Sequence, residues 1–225
     1  DLRKLPVEGG GEKWVCYSAD GYYFTGDFDG YEFKPDGIRR KAWKTALPYA
    51  AQTIWGTEDV ILIPWLRTKN KNKLYTGAMG LPRKLSLVKI KEGYRLRQLP
   101  VDSFLKARSA VHSSNGEGKV FCMSQRDGAL EICIHMEKPS DYSINLYGTP
   151  ITYVSSCGKL GVGSEVYEIG KNLNDFSLLA DGELLEASAE NGQVLAVMEM
   201  PSDQKKGNVT VEVSGTAAVD IYRID

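Results

Sequence analysis

Cysteine and histidine are scarce in this chain of 225 residues, and long apolar runs are missing altogether. The four cysteines, Cys16, Cys122, Cys133 and Cys157, are spread widely and show none of the close paired spacings that hold zinc or an iron cluster. No metal site is expected. Nothing in their spacing suggests a disulfide framework either, in a chain long enough to build its own core. All four thiols are therefore expected to be reduced, which fits a reducing compartment such as the cytoplasm. Only His112 and His135 could serve as imidazole bases. His135 lies in Ile132, Cys133, Ile134, His135, Met136, a strand pattern in which a packed or edge histidine is the preferred reading over a catalytic one. Charge of one sign is also lacking: 28 Lys and Arg balance 29 Asp and Glu, a net charge of -1. That balance offers no long-range attraction to phosphate backbones or anionic lipid, so neither nucleic acid nor a membrane is expected as a partner. No apolar stretch approaches the ~20 residues that cross a bilayer, and the first residues lack the basic start and apolar stretch of a signal peptide. The chain starts at Asp1 rather than Met, so the lack of a targeting signal carries little weight.

Helical periodicity is nearly absent, whereas short strand patterns broken by Gly, Asp, Asn and Pro run the length of the chain. This is an all-β signature. Runs from Trp14 to Ser18, Tyr22 to Phe28 and Tyr31 to Phe33 are separated by Asp20 Gly21 and Asp29 Gly30, dipeptides that accept positive φ in tight turns. Tyr49 to Trp55 and Val60 to Leu66 follow. The second of these is apolar at every position, as expected where neighbouring sheets cover both faces. Pro64 inside it cannot donate to a ladder and should mark a bulge or the end of regular pairing. One short helix is expected over Val101 to Ala107, capped by Asp102 or Ser103. After the polar stretch Ser113 Ser114 Asn115 Gly116, about ten short alternating strands between Lys119 and Arg223 predict a two-sheet sandwich. The domain boundary is expected between residues 97 and 112.

Four runs carry a resemblance to a known family. Gly26 Asp27 Phe28 Asp29 Gly30, then Tyr49 Ala50 Ala51 Gln52 Thr53, then Ile63 Pro64 Trp65 Leu66, then Met79 Gly80 Leu81 Pro82 Arg83 Lys84 Leu85 Ser86 Leu87 occur in the order seen in glycoside hydrolase family 32, the β-fructosidases that include invertases and levanases. Leu99 Pro100 Val101 resembles the stretch linking that family's five-bladed β-propeller to its C-terminal β-sandwich, and Asp181 to Glu186 with Asn191 Gly192 loosely resembles an acidic hairpin of the sandwich. The resemblance implies the last blades of an incomplete propeller over residues 1–97, a linker with the short helix over 98–107, and a β-sandwich over 108–225.

What the resemblance implies for function is carried position by position. The family hydrolyses sucrose and fructans with an Asp nucleophile, a Glu acid/base and a second Asp that stabilises the transition state. None of the three motifs occurs here. Asp1 Leu2 resembles the residues just after the family's Glu, Cys, Pro run, with Arg3 in place of the usual Phe, so the acid/base would lie a few residues before Asp1. The expected protein is the C-terminal portion of a β-fructosidase, without catalytic residues of its own, needing no cofactor, and inactive until the missing N-terminal blades are supplied. Exposed sheet edges of an incomplete propeller make a homo-oligomer a further expected partner. A non-catalytic carbohydrate-binding or assembly module is the alternative. Two pocket residues can be matched: Tyr49 resembles the tyrosine whose hydroxyl approaches the fructosyl unit, and Trp65 a tryptophan lining the same pocket. Aromatic side chains suit both roles, offering an apolar face to sugar C–H groups and a polar edge to hydroxyls. Core packing competes for each, and the resemblance tips Trp65 towards the pocket wall. Leu47 stands where many members carry an Asp.

Other candidates reduce to structure. Gly9 Gly10 Gly11 has no Lys-Ser/Thr pair after it and reads as a turn rather than a phosphate cradle. Lys69 to Lys73 reads as a solvated loop. Asp27 and Asp29 straddle the start of a turn and read as structural carboxylates rather than a catalytic pair.

Overall fold

The computed structural model describes residues 1–69, 74, 76–122, 128–200 and 208–225, without the side chains of 119–122. The described residues form twenty strands and one short helix, and the chain divides into two compact units, Asp1–Asp102 and Ser103–Asp225. The fold is all-β, as the sequence predicts.

The first unit holds two antiparallel sheets. One has β1 (Leu2–Pro6), β2 (Glu12–Tyr17), β3 (Tyr22–Phe28) and β4 (Phe33–Pro35) in sequential order, with β5 (Arg40–Lys41) also on β3. The other runs β10 (Gly93–Pro100), β9 (Arg83–Ile90), β7 (Ile61–Leu66), β6 (Pro48–Thr53), with β8 (Ala78–Met79) paired to β7. The turn chemistry explains the meanders. At Asp29 the carboxylate accepts the N–H groups of Glu32 at 2.8 Å and Tyr31 at 2.9 Å, and these donors hold its carboxyl below the usual carboxylate range. Gly21 turns with φ of +80°, and a Cβ there would stand 2.5 Å from the ring of the buried Trp43, so both backbone and packing demand glycine.

Alternation puts Leu5, Val15, Leu62, Leu66, Leu85, Leu87 and Leu96 inside, all at 2% exposure or less, each stabilising the unit by ~1.5–3 kcal/mol. Polar contacts register one sheet on the other. The buried Tyr23 hydroxyl accepts the N–H of Leu96 at 3.0 Å, and the Gln98 side-chain amide donates to the Ala42 carbonyl at 2.8 Å. The run from Val60 to Leu66 is not covered on both faces as expected. Leu62, Pro64 and Leu66 are buried, but Ile61 and Ile63 are half-buried and Trp65 is 38% exposed. Its apolar character thus reflects one core face and one partly open face.

A five-residue helix α1, Asp102–Lys106, leads to the second unit. There ten strands form one hydrogen-bonded sheet around the sixteen-residue β20 (Val209–Ile224). β11 (Arg108–Cys122) runs along one edge of β20. On the other edge, β12 (Ala129–Met136) pairs with Ala217–Ile224, and β13 (Tyr142–Leu146) pairs with Val209–Val213. Each starts a separate wing. From β12 the order continues through β17 (Asp175–Asp181), β18 (Leu184–Ala189) and β19 (Val194–Glu199); from β13 it continues through β14 (Thr149–Val154), β15 (Lys159–Val162) and β16 (Glu165–Glu168). Both wings contribute to one apolar cluster, with Ile132, Leu178 and Leu185 from one side and Ile144, Ile151 and Leu160 from the other. At its centre Phe176 packs edge-on to Tyr142 at 4.9 Å and tilted against Tyr153 at 4.8 Å.

Two boundaries differ from expectation. The polar stretch Ser113–Gly116 is no break but part of β11, because an edge strand facing solvent tolerates Ser and Asn while its backbone pairs with β20. Likewise Val209–Val213 and Ala217–Arg223 are one strand rather than two.

Candidate functional site

The β6–β7 hairpin positions both nominated residues. Tyr49 lies directly opposite Trp65 in the ladder, and the next pair is Gln52 with Ile63. Ala50 and Ala51 therefore oppose Pro64 alone, forming the bulge that a residue without an N–H invites. Ala50 takes up the extra length at φ of +43°, and its N–H donates to the Ala19 carbonyl at 2.8 Å. Directly opposed residues share a face of a sheet, so the two rings meet edge to face, with centroids 6.3 Å apart and planes at 66°.

Two neighbours complete the face. Met79, 63% exposed, lies opposite Trp65 in β8, so Tyr49, Trp65 and Met79 form a row across three strands. Arg67 places its guanidinium 4.6 Å from the Tyr49 ring centroid and donates to the Ala46 carbonyl, while its backbone N–H donates to the Leu47 carbonyl at 3.1 Å. This aromatic and thioether face offers apolar surface, a phenol and a guanidinium. Among the described residues that form it there is no carboxylate. Met79 and Arg67 were not anticipated. Met79 opens one of the quoted family runs, but only its register opposite Trp65 brings it to this face.

A second cluster stands at the far end of β6. The Arg3 Nε donates to the Thr53 Oγ1 at 2.6 Å, the Asp1 carboxylate accepts the Thr53 N–H at 3.1 Å and the Thr53 hydroxyl, and the Arg3 guanidinium lies 3.4 Å from the Trp55 ring centroid. Trp55 is 79% exposed.

Other candidates fall elsewhere. Asp27 accepts from the Lys13 Nζ at 3.0 Å, and Asp29 caps its turn. His135 is exposed and its Nδ1 meets the Asp175 carboxylate at 2.8 Å, in a strand flanked on both sides, so it is neither an edge nor a packed histidine. The Gly9–Gly11 segment closes the β1–β2 hairpin. Cys16, Cys133 and Cys157 are unpaired, and burial pushes the Cys133 thiol up to about 12. The Cys122 side chain and residues 70–73 of the lysine run lie outside the described residues. Among the described residues no group of three His, Cys, Asp or Glu could hold a metal, and no helix is long and apolar enough to cross a membrane.

No family model matches the chain. A levanase from Bacillus sp. (strain L7) is 27% identical over 184 residues, spanning 66% of this chain and 19% of the levanase. All of the chain superimposes on the exo-inulinase of Aspergillus awamori, with a TM-score of 0.80 at 19% identity, over 56% of that structure. It also superimposes in full on the GH32 β-fructofuranosidase of Bombyx mori, with a TM-score of 0.72 at 23% identity, over 53% of that chain. The chain resembles the C-terminal part of a family 32 glycoside hydrolase. The resemblance to family 32 is one of fold, and it covers both units. Three of the four family 32 runs quoted from the sequence fall in one sheet: Tyr49–Thr53 in β6, Ile63–Leu66 in β7, and 79–87 through β8 and β9.

Proposed function

We propose that this chain is the C-terminal portion of a β-fructosidase-like hydrolase of sucrose or fructan. Residues 1–97 would be the last blades of a five-bladed propeller, 98–107 a linker, and 108–225 a β-sandwich. Two consecutive antiparallel meanders in the first unit and the two-winged sheet around a single core in the second support that division. The observation that carries the functional reading is the pairing of Tyr49 with Trp65 on a partly open face of a sheet built from family runs. In this reading the Trp65 indole lies against sugar C–H groups, and the Tyr49 hydroxyl hydrogen-bonds the fructosyl unit.

The face supplies binding and orientation rather than proton transfer. Retaining hydrolysis needs two carboxyl groups ~5 Å apart, one attacking the anomeric carbon and one protonating the leaving oxygen. The row of Tyr49, Trp65 and Met79 with Arg67 has none. In this proposal the nucleophile and the acid/base come from the family's N-terminal blades, and the 225 residues alone are inactive. A non-catalytic carbohydrate-binding module is the second reading, favoured by Leu47 in place of the family's Asp.

Titration of the chain with sucrose, inulin and levan oligosaccharides, followed at the indole N–H resonances, tests the pocket. A saturable shift at Trp65 is expected, weakened by Tyr49→Ala. Indole signals that ignore all three sugars would reject the pocket reading and leave both residues as packing. Binding that never acquires hydrolytic activity, even with N-terminal blades added, would favour the second reading.

A further inference from the structure

The Trp65 indole does not rest on side chains alone. A Cβ built on Gly77 would stand 2.1 Å from the Trp65 Nε1, 3.0 Å from Cε2 and 3.2 Å from Cδ1. Three residues on, a Cβ at Gly80 would stand 2.7 Å from the Pro64 Cγ. The segment between them, β8, thus lies on the Pro64–Trp65 pair of β7 with bare α-carbons at both points of contact. Gly77 cannot back away easily. Its N–H donates to the Thr68 carbonyl at 3.3 Å, the Thr76 hydroxyl donates to the same carbonyl at 3.2 Å, and Thr68 itself is only 5% exposed. The backbone at Gly77 is also left-handed, with φ of +82°, a conformation L side chains rarely adopt.

We propose that Gly77 is a positioning residue for Trp65: its bare α-carbon is the stop against which the polar edge of the indole rests, and so fixes the angle between that ring and Tyr49. The proposal rests on the reading of Trp65 as a pocket wall for its functional meaning, but not for its geometry. A side chain at residue 77 would turn the indole out of its edge-to-face contact with Tyr49 and misplace the stacking surface for a fructosyl ring.

The test separates this collision from backbone strain. Gly77→Ala carries the left-handed strain whatever residue 65 is, whereas the collision with Nε1 exists only when residue 65 is tryptophan. Gly77→Ala is therefore made in the natural chain and in Trp65→Phe, and urea midpoints are compared around the cycle. The midpoint should fall further in the tryptophan background. The Trp65 indole N–H resonance, identified by its loss in Trp65→Phe, should move in Gly77→Ala while those of Trp14, Trp43 and Trp55 stay. Affinity for an inulin oligosaccharide should drop by about tenfold, as for a lost contact of ~1.4 kcal/mol. Should Gly77→Ala fail to fold, the double variant should fold. Equal midpoint losses in both backgrounds with an unmoved Trp65 resonance would overturn the proposal, as would failure of both single and double variants to fold. A Trp65 resonance that moves in Gly77→Ala but ignores sugar in the natural chain would uphold the positioning role and reject the pocket reading instead.

Discussion

Glu131 is an acidic side chain only 1% exposed within a strand, and its surroundings account for its place there. Arg108 donates to both of its oxygens, Nε at 2.6 Å and Nη2 at 2.7 Å, the Ser177 hydroxyl adds a third bond at 2.6 Å, and Tyr222 lies 5.0 Å from the guanidinium. The two partners are not equivalent. Arg108 retains 23% side-chain exposure and can turn to water if its partner goes, whereas Glu131 cannot. Arg108→Met should therefore destabilise the second unit by about 3–5 kcal/mol, the cost of a buried charge without its partner, and Glu131→Gln by less. Urea unfolding followed by circular dichroism measures this, because all four tryptophans lie in the first unit and report only on it. Equal losses, or a larger loss for Glu131→Gln, would contradict the account.

At the scale of the element, the sequence was most readable where a residue type dictates backbone behaviour. Asp20 Gly21 and Asp29 Gly30 predict turns that are found, and Pro64 predicts a bulge that is found on its partner strand at Ala50 and Ala51. It was least readable where pairing overrides composition. β11 crosses a Ser- and Asn-rich stretch, β20 crosses Ser214–Thr216, and β9 and β10 form a hairpin whose only local signal is the turn at Glu92 Gly93. The same division runs through the site. Tyr49 and Trp65 could be nominated from the runs that contain them, but Met79 and Gly77 acquire their meaning only from a ladder register and an α-carbon contact, which no local pattern encodes. The bulge itself is testable. Ala50 sits at φ of +43°, so Ala50→Gly should be neutral or stabilising by up to ~1 kcal/mol, while the β-branched Ala50→Val should cost more than ~1 kcal/mol. Tryptophan fluorescence during urea unfolding reads both, and a valine that stabilises would show that the bulge carries no strain.

For the whole molecule, near-neutral charge and an all-β plan were legible from composition and turn spacing, because strand alternation and turn residues repeat often enough to average out local errors. The functional reading rests on resemblance: among the described residues no arrangement of histidine, cysteine or carboxylate groups announces a reaction. The central claim is that these 225 residues hold a sugar-facing wall without the chemistry of glycoside cleavage. Glycosidic bonds break extremely slowly unless an acid protonates the leaving oxygen while a nucleophile acts at the anomeric carbon, and aromatic contacts alone supply neither. The most direct test is fructose release from sucrose, inulin and levan by the purified chain, alone and with a polypeptide carrying family 32 N-terminal blades. The account predicts no release from the chain alone and release from the mixture if the two associate, reduced in Tyr49→Ala and Trp65→Ala. Fructose release by the chain alone that survives controls for contaminating enzyme would contradict it.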